Sequence, residues 1–209
     1  MSRDELFWAD IFDKMAQQDY VVMDDFLDEN LIQDIRVFFQ NKEDEDVFKK
    51  AAIGSSGKEL IINEVRGDYT FWLDKNRDAE LSDLFDVLNQ VKFWINRMCF
   101  LSLSDYEFHL AHYPEGSFYK RHLDQFAGRN NRMISLIIYL NKDWKNGDGG
   151  ELRIYPKGNG SLDIQPLYNR CILFRSDTLE HEVLTAHKDR RSVTGWMLYK
   201  PTPLAVLSS

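Results

Sequence analysis

Apolar residues recur at threes and fours in three early stretches and then break into short runs for the second half of the chain. Leu6, Phe7, Ile11, Phe12 and Met15 predict an amphipathic helix over about the first fifteen residues. Tyr20, Val21, Val22 and Met23 make a short strand. Asp28 stands where an N-cap would, ahead of a stripe of Leu31, Ile32, Ile35, Phe38 and Phe39 that should end at a charged loop over 41–46. Leu81, Leu84, Phe85, Leu88, Val91, Ile95 and Met98 predict a third helix over about 78–101.

After that the punctuation changes. Runs at 106–113, 119–123, 133–140, 151–155, 161–164, 170–174, 181–184 and 190–199 are separated by Gly, Pro, Asn and Asp, a spacing that predicts strands of a sandwich or jelly roll. The expected fold class is α+β, a jelly-roll (double-stranded β-helix) core with N-terminal helices packed on one sheet. A single domain is expected over 1–209, with helical support over about 1–102 and the β core over about 106–200. Before the core, 60–62 and 69–72 are apolar segments able to pair as a hairpin around Arg66, Gly67 and Asp68.

Charge narrows the class of partner. With 26 basic and 34 acidic residues the formal net charge is −8, and there is no long basic block, which argues against nucleic acid or an anionic membrane surface as the main partner. No apolar run approaches the ~20 residues that span a bilayer, and the N-terminal residues do not read as a signal sequence. Two cysteines, Cys99 and Cys171, lie in apolar settings and read as thiols in a reducing compartment. A cytoplasmic location is the expectation.

The chemistry lies in the strand-rich half. His122 and Asp124 stand two apart, so one extended segment presents an imidazole and a carboxylate on the same side, and a distant His181 can complete the set. Two histidines and one carboxylate on one face of an iron ion leave the remaining positions open, the arrangement of non-heme Fe(II) oxygenases. An H-x-D pair alone is weak, because an exposed histidine and a turn aspartate meet it by chance in most proteins. His109, His112 and His187 have no such context and read as ordinary core or surface histidines.

The surroundings are more specific. Residues 132–144 run Arg-Met-Ile-Ser-Leu-Ile-Ile-Tyr-Leu-Asn-Lys-Asp-Trp, Gly149, Gly150 and Glu151 open the next strand, and Arg190 follows His181 by nine positions. With Arg66-Gly67-Asp68 and Trp72 upstream, the chain resembles the Fe(II)- and 2-oxoglutarate-dependent prolyl hydroxylase family, nearest to the branch of oxygen-sensing enzymes and their compact bacterial relatives. The loop over 125–131, with Phe126-Ala127-Gly128-Arg129, departs from that branch and leaves the substrate's identity open.

That resemblance implies Fe(II) on His122, Asp124 and His181, with O2 and 2-oxoglutarate at the metal, and ascorbate as a reductant. No side-chain nucleophile is implied. A buried arginine must hold the distal carboxylate of 2-oxoglutarate, and a planar guanidinium suits that task. Arg190 and Arg191 adjoin. Arg190 shares a strand face with the small Ser192 and Thr194 and with Trp196, which leaves room for a ligand, and the family spacing also selects it; Arg191 is then expected at a solvent-facing or edge position.

The resemblance assigns Tyr139, Tyr113 and Thr194 to the cosubstrate as well. Arg132, Trp196, Tyr119, Arg66 and Asp68 fall to the substrate, and residues 66–74 to a mobile finger that covers it. The implied reaction is hydroxylation of a prolyl residue in a protein or peptide, coupled to conversion of 2-oxoglutarate to succinate and CO2. Two rivals share the sequence features: the same cofactors acting on a free amino acid or other small molecule, and a metal-binding jelly roll without turnover. A monomer or weak homo-oligomer is expected.

Overall fold

The computed structural model describes residues 4–51, 65–125, 130–158 and 160–200. Three helices pack with two antiparallel sheets, and the first three strands alternate with them along the chain. Helix α1 (Glu5–Gln18) starts at Asp4, whose carboxylate accepts the Phe7 N–H at 2.9 Å, and ends at Asp19 in the left-handed region at φ 66°. Strand β1 (Tyr20–Met23) follows, then α2 (Glu29–Asp44), with Asp28 at its N-cap position. The charged stretch expected as a loop is helical as far as Asp44. Side chains one turn apart support it, Gln40 with Asp44 and Lys42 with Glu45. The third helical stretch begins as a 3-10 turn over Ala79–Leu81 and continues as α3 (Ser82–Cys99).

The major sheet has seven strands. Beyond β1 it takes β2 (Lys49–Lys50), β3 (Tyr69–Trp72), β4 (Asp105–Tyr113), β6 (Arg132–Tyr139), β9 (Cys171–Arg175) and β11 (Arg190–Leu198), in the order β1-β9-β6-β11-β4-β3-β2. The minor sheet contains β5 (Tyr119–His122), β7 (Leu152–Tyr155), β8 (Leu162–Ile164) and β10 (Glu180–Val183), in the order β5-β10-β7-β8. Each of the eight predicted core strands is present within two residues of its expected ends. The segment 60–62 lies outside the described residues; among those described, β3 pairs with β2 on one side and β4 on the other.

Strand alternation divides the protein into two cores. On β4, Tyr106, Phe108 and Leu110 face the helices, as do Val193 and Met197 on β11, and they pack with Ile32, Ile35, Leu84 and Leu88 from α2 and α3. Each such buried side chain contributes about 1.5–3 kcal/mol. The other parity, Ala111, Tyr113, Ile137 and Tyr139, meets Leu152, Ile154, Ile164 and Val183 of the minor sheet between the two layers. Gly195 is forced by this packing: a Cβ there would lie 2.4 Å from the Phe108 ring and 2.3 Å from the Glu107 carbonyl oxygen.

Arg191 lies on the outer strand face, as expected, and stays partly exposed, with its Nε 3.0 Å from Glu43 Oε1 of α2 and its guanidinium over Phe39. The finger expected over 66–74 is built into the sheet instead. All four residues of β3 pair with β4, and Arg66 is clamped by the buried Asp68 at 2.7 and 2.6 Å. Pairing with β4 along β3, pairing with β2 at Tyr69 and Thr70, and the Arg66–Asp68 ion pair hold the segment to the sheet.

Candidate metal centre

In the minor sheet β5 and β10 run antiparallel with His122 directly opposite His181, so both rings project to one side and their centroids lie 4.3 Å apart. Asp124 follows the end of β5. Its Oδ1 is 3.7 Å from His122 Nε2 and its Oδ2 is 3.7 Å from His181 Nε2, and the three candidate donor atoms lie within 4.8 Å of one another. Each imidazole is oriented from behind by a backbone carbonyl. His122 Nδ1 is 2.7 Å from the Lys120 oxygen and His181 Nδ1 is 3.1 Å from the Leu179 oxygen. A carbonyl only accepts, so both Nδ1 atoms carry the proton and both Nε2 lone pairs face the carboxylate.

Asp124 has its own support. Ser135 donates to its Oδ2 at 2.5 Å and in turn meets Ser176 at 2.8 Å. Burial by itself would push the Asp124 carboxyl upward, but the two imidazoles and the Ser135 hydroxyl outweigh that and hold it well below the usual carboxylate range. Burial and the neighbouring His122 bring His181 down to about 4. At neutral pH the centre therefore offers an ionised carboxylate and a neutral buried imidazole, the forms that bind a metal. Behind His122 the Tyr119 ring stacks at 3.7 Å, and the Arg66 guanidinium covers Tyr119 at 4.3 Å.

Further along the same chamber lies Arg190. It is 1% exposed, its Nε donates to the Gly150 carbonyl at 2.9 Å, and its guanidinium carbon is 4.9 Å from the ring centres of both Tyr113 and Tyr139. No carboxylate of the described residues pairs with it, and among those residues the Tyr139 hydroxyl, beside Arg190, is buried with no partner within hydrogen-bond distance. A buried cation beside an unsatisfied hydroxyl is a cradle for an anionic group. Gly150 makes room for it: φ is +64°, and a Cβ would stand 3.0 Å from Arg190 Cδ. Ser192 and Thr194 line the wall next to Arg190, their hydroxyls 3.0 Å apart.

Residues 108–198 match the family model described as the 2OG-Fe(II) oxygenase superfamily. Egl nine homolog 1 of Homo sapiens is 31% identical over 192 residues, covering 87% of this chain and 44% of the human protein; for the Mus musculus protein the identity is also 31% and the coverage 47%. The chain spans about half the length of these curated relatives. A crystal structure of a Pseudomonas putida prolyl-4-hydroxylase is 30% identical with a TM-score of 0.84, covering 92% of this chain and 99% of that one. The chain belongs to the prolyl hydroxylase family. A Trichoplax adhaerens prolyl hydroxylase in complex with a hypoxia inducible factor peptide fragment has the same fold, at 24% identity and TM-score 0.84 over 93% of this chain and 90% of that one.

Family members use Fe(II), 2-oxoglutarate and O2, and the residues present fit that set: a His-Asp-His triad at one place and a buried guanidinium cradle at another. Tyr113, Tyr139, Arg190 and Thr194 share the inner strand parity of the major sheet, the face that meets the minor sheet carrying His122 and His181. Arg132 and Trp196 meet at its far end, the guanidinium 3.3 Å from the indole centre and bound to Glu107 Oε1 at 2.9 and 2.7 Å. Arg66, Asp68 and Tyr119 form the stack behind His122. A separate cleft of ≈ 640 Å³ beside α2, lined by Arg36, Phe39, Trp144, Lys188 and Arg191 among others, contains none of the triad.

The sequence reading gave no role to Ser135 or Glu107 and read His109 as an ordinary core or surface histidine. Strand parity carried the signal for all three. Ser135 shares its face with Tyr139 on β6, and Glu107 and His109 share theirs with Tyr113 on β4. Gly150 was legible only as a turn, because its contact with Arg190 comes from a strand forty residues away.

Proposed function

We propose that this protein is a 2-oxoglutarate-dependent dioxygenase that hydroxylates a prolyl residue in a protein or peptide, with His122, Asp124 and His181 as the ligands of Fe(II). The observation that carries the proposal is the pairing, in one chamber, of a preformed His-Asp-His triad with a buried Arg190 that has no carboxylate of its own among the described residues. A metal-binding module without turnover has no use for the second element. Likeness to prolyl hydroxylases supports the substrate class. One domain, jelly roll plus helical support, carries the activity.

When bound, iron with O2 and 2-oxoglutarate supplies the oxidant: the cosubstrate leaves as succinate and CO2, and one oxygen atom goes to the substrate. The chain's own residues hold and orient. Lys120 and Leu179 carbonyls fix the imidazole tautomers, and Ser135 keeps Asp124 aimed at the same point as both Nε2 atoms. Arg190 would hold the distal carboxylate of 2-oxoglutarate and the Tyr139 hydroxyl would donate to it, with Tyr113 and Thr194 at the same end. The apolar wall of Ile137, Ile154, Phe174 and Val183 keeps water from the reacting centre.

Arg132, Trp196 and Tyr119 border the substrate side, with Arg66 and Asp68 bracing Tyr119. Ascorbate as the reductant that keeps the metal ferrous, and a cytoplasmic location, complete the proposal; among the described residues no helix is long and apolar enough to cross a membrane. The test is succinate formation from 2-oxoglutarate with and without short peptides containing one central proline, read together with peptide mass. The expected result is iron-dependent succinate and a peptide that gains one oxygen on proline. Hydroxylation of free proline with no peptide product would replace this reading with the small-molecule one.

A further inference from the structure

The run over 132–144 ends on Trp144, a residue to which the proposed reaction gives no work. Its side chain is 7% exposed and lines the cleft beside α2. The indole Nε1 donates to the Gly149 carbonyl at 3.2 Å, and the next carbonyl, that of Gly150, accepts from Arg190 Nε at 2.9 Å. A Cβ on Gly150 would stand 3.2 Å from Trp144 Cζ2 and 3.0 Å from Arg190 Cδ. Only bare backbone fits between the indole and the arginine.

Two peptide planes carry this contact. The first holds the Gly149 oxygen and the Gly150 N–H and is fixed at both ends, by Trp144 at the oxygen and by the Thr185 carbonyl, which accepts from the Gly150 N–H at 3.0 Å. The second holds the Gly150 oxygen that Arg190 uses. Gly149 and Gly150 stand at φ +72° and +64°, and glycine resists rotation less than any other residue, so the bonds and the ring contact decide where that oxygen aims. Lys188 secures the ring, with its Nζ 4.7 Å from the ring centre and bonded to the Asp143 carbonyl at 3.1 Å and to Asp148. The aim of the oxygen matters for Arg190. The faces of Tyr113 and Tyr139 attract a cation without fixing the rotation of its fork, whereas a carboxylate taken by two parallel N–H groups requires that rotation to be set.

The geometry points to Trp144 as a positioning residue for the carboxylate clamp: its N–H and its ring hold the 149–150 turn so that the Gly150 carbonyl sets the direction of the Arg190 fork. The inference rests on the reading of Arg190 as the partner of the distal carboxylate and is independent of which substrate is oxidised. Trp144 acts through Arg190, so its loss should weaken 2-oxoglutarate binding and spare the triad.

The test uses the full chain with Mn(II) in place of iron and two isothermal titrations, Mn(II) alone and then 2-oxoglutarate into the Mn(II)-loaded protein. Trp144→Phe keeps a flat ring on Gly150 and removes the N–H; Trp144→Leu removes both. The 2-oxoglutarate Kd should rise about three- to ten-fold in Trp144→Phe, the loss of one neutral hydrogen bond, and further in Trp144→Leu. The Mn(II) Kd should keep its wild-type value in both. In turnover the KM for 2-oxoglutarate should rise as well, while kcat at saturating 2-oxoglutarate stays near wild type. Gly150→Ala, which presses a methyl group onto Arg190 Cδ, should reproduce the pattern, and Arg36→Ala, on the α2 wall of the same cleft, should not. Should Trp144→Leu lose the folded circular-dichroism spectrum, Trp144→Phe and Gly150→Ala carry the comparison.

An unchanged 2-oxoglutarate Kd in the Trp144 variants overturns the positioning role. A parallel loss of Mn(II) affinity does so too, because the ring would then support the fold as a whole, and an equal rise in Arg36→Ala would assign the effect to the cleft instead. Wild-type protein that binds Mn(II) and no 2-oxoglutarate overturns the dioxygenase reading and the positioning role with it.

Discussion

Replacing Arg190 by Met separates the cosubstrate clamp from the scaffold. The wild-type protein buries a guanidinium with no described carboxylate partner, and an uncompensated buried charge costs about 3–5 kcal/mol. Against that stand one charged hydrogen bond to Gly150, about 1.5–3 kcal/mol, and two tyrosine faces at about 0.5–1 kcal/mol each. The terms nearly cancel, so Arg190→Met should leave ligand-free stability within about 1–2 kcal/mol of wild type. Binding is another matter. At a hundred times its Kd, 2-oxoglutarate should stabilise wild type by about 2.7 kcal/mol, a rise of roughly 5–11 °C in melting temperature for a domain of this size. Loss of about 3–5 kcal/mol of clamp reduces that rise to about 1 °C or less at the same concentration. Scanning calorimetry with Mn(II) in place of iron, with and without 2-oxoglutarate, reads both quantities. A full ligand-induced rise in Arg190→Met, or its loss in Arg191→Ala, would refute the assignment.

Asp124→Ala and His122→Ala should each abolish iron-dependent succinate formation while the folded circular-dichroism spectrum persists. Ser135→Ala strips Asp124 Oδ2 and the Ser176 hydroxyl of a partner and should weaken Fe(II) affinity about 10–100-fold, measured as the iron concentration for half-maximal activity. Asp68→Ala leaves Arg66 buried and unpaired and should destabilise the fold by up to about 3–5 kcal/mol in urea unfolding, with the His122 stack loosened. Amides of Tyr69–Trp72 should exchange as slowly as those of β4 with or without substrate; rapid exchange confined to them would restore the lid reading.

What the sequence made legible follows from periodicity and punctuation. Period 3.6 located the helices, and short runs punctuated by Gly, Pro, Asn and Asp located the strands of the jelly roll. Strand parity sent Arg190, Ser192, Thr194 and Trp196 inward and Arg191 outward. It could not say what lay outside, and α2 as well as solvent meets Arg191, through Glu43. The triad was legible because His122 and Asp124 are neighbours in sequence. The register that sets His181 opposite His122 is a property of two strands fifty-nine residues apart, and nothing local encodes it.

The error over residues 66–74 has a physical origin worth following. Arg-Gly-Asp between apolar runs has the composition of an exposed turn, and a surface ion pair there would contribute only about 0–1 kcal/mol. In the folded protein Asp68 is fully buried and its carboxylate orders a chain of contacts, from Arg66 through the Tyr119 ring to His122. Burial converts a weak local pair into a support for a metal ligand. Gly67 permits it, because its N–H donates to the Phe118 carbonyl at 3.0 Å and its own carbonyl accepts from Ser117, with the Ser117 side chain 3.3 Å from where a Cβ would stand. The segment therefore braces Tyr119 and, through it, His122, so its failure should show first in metal affinity.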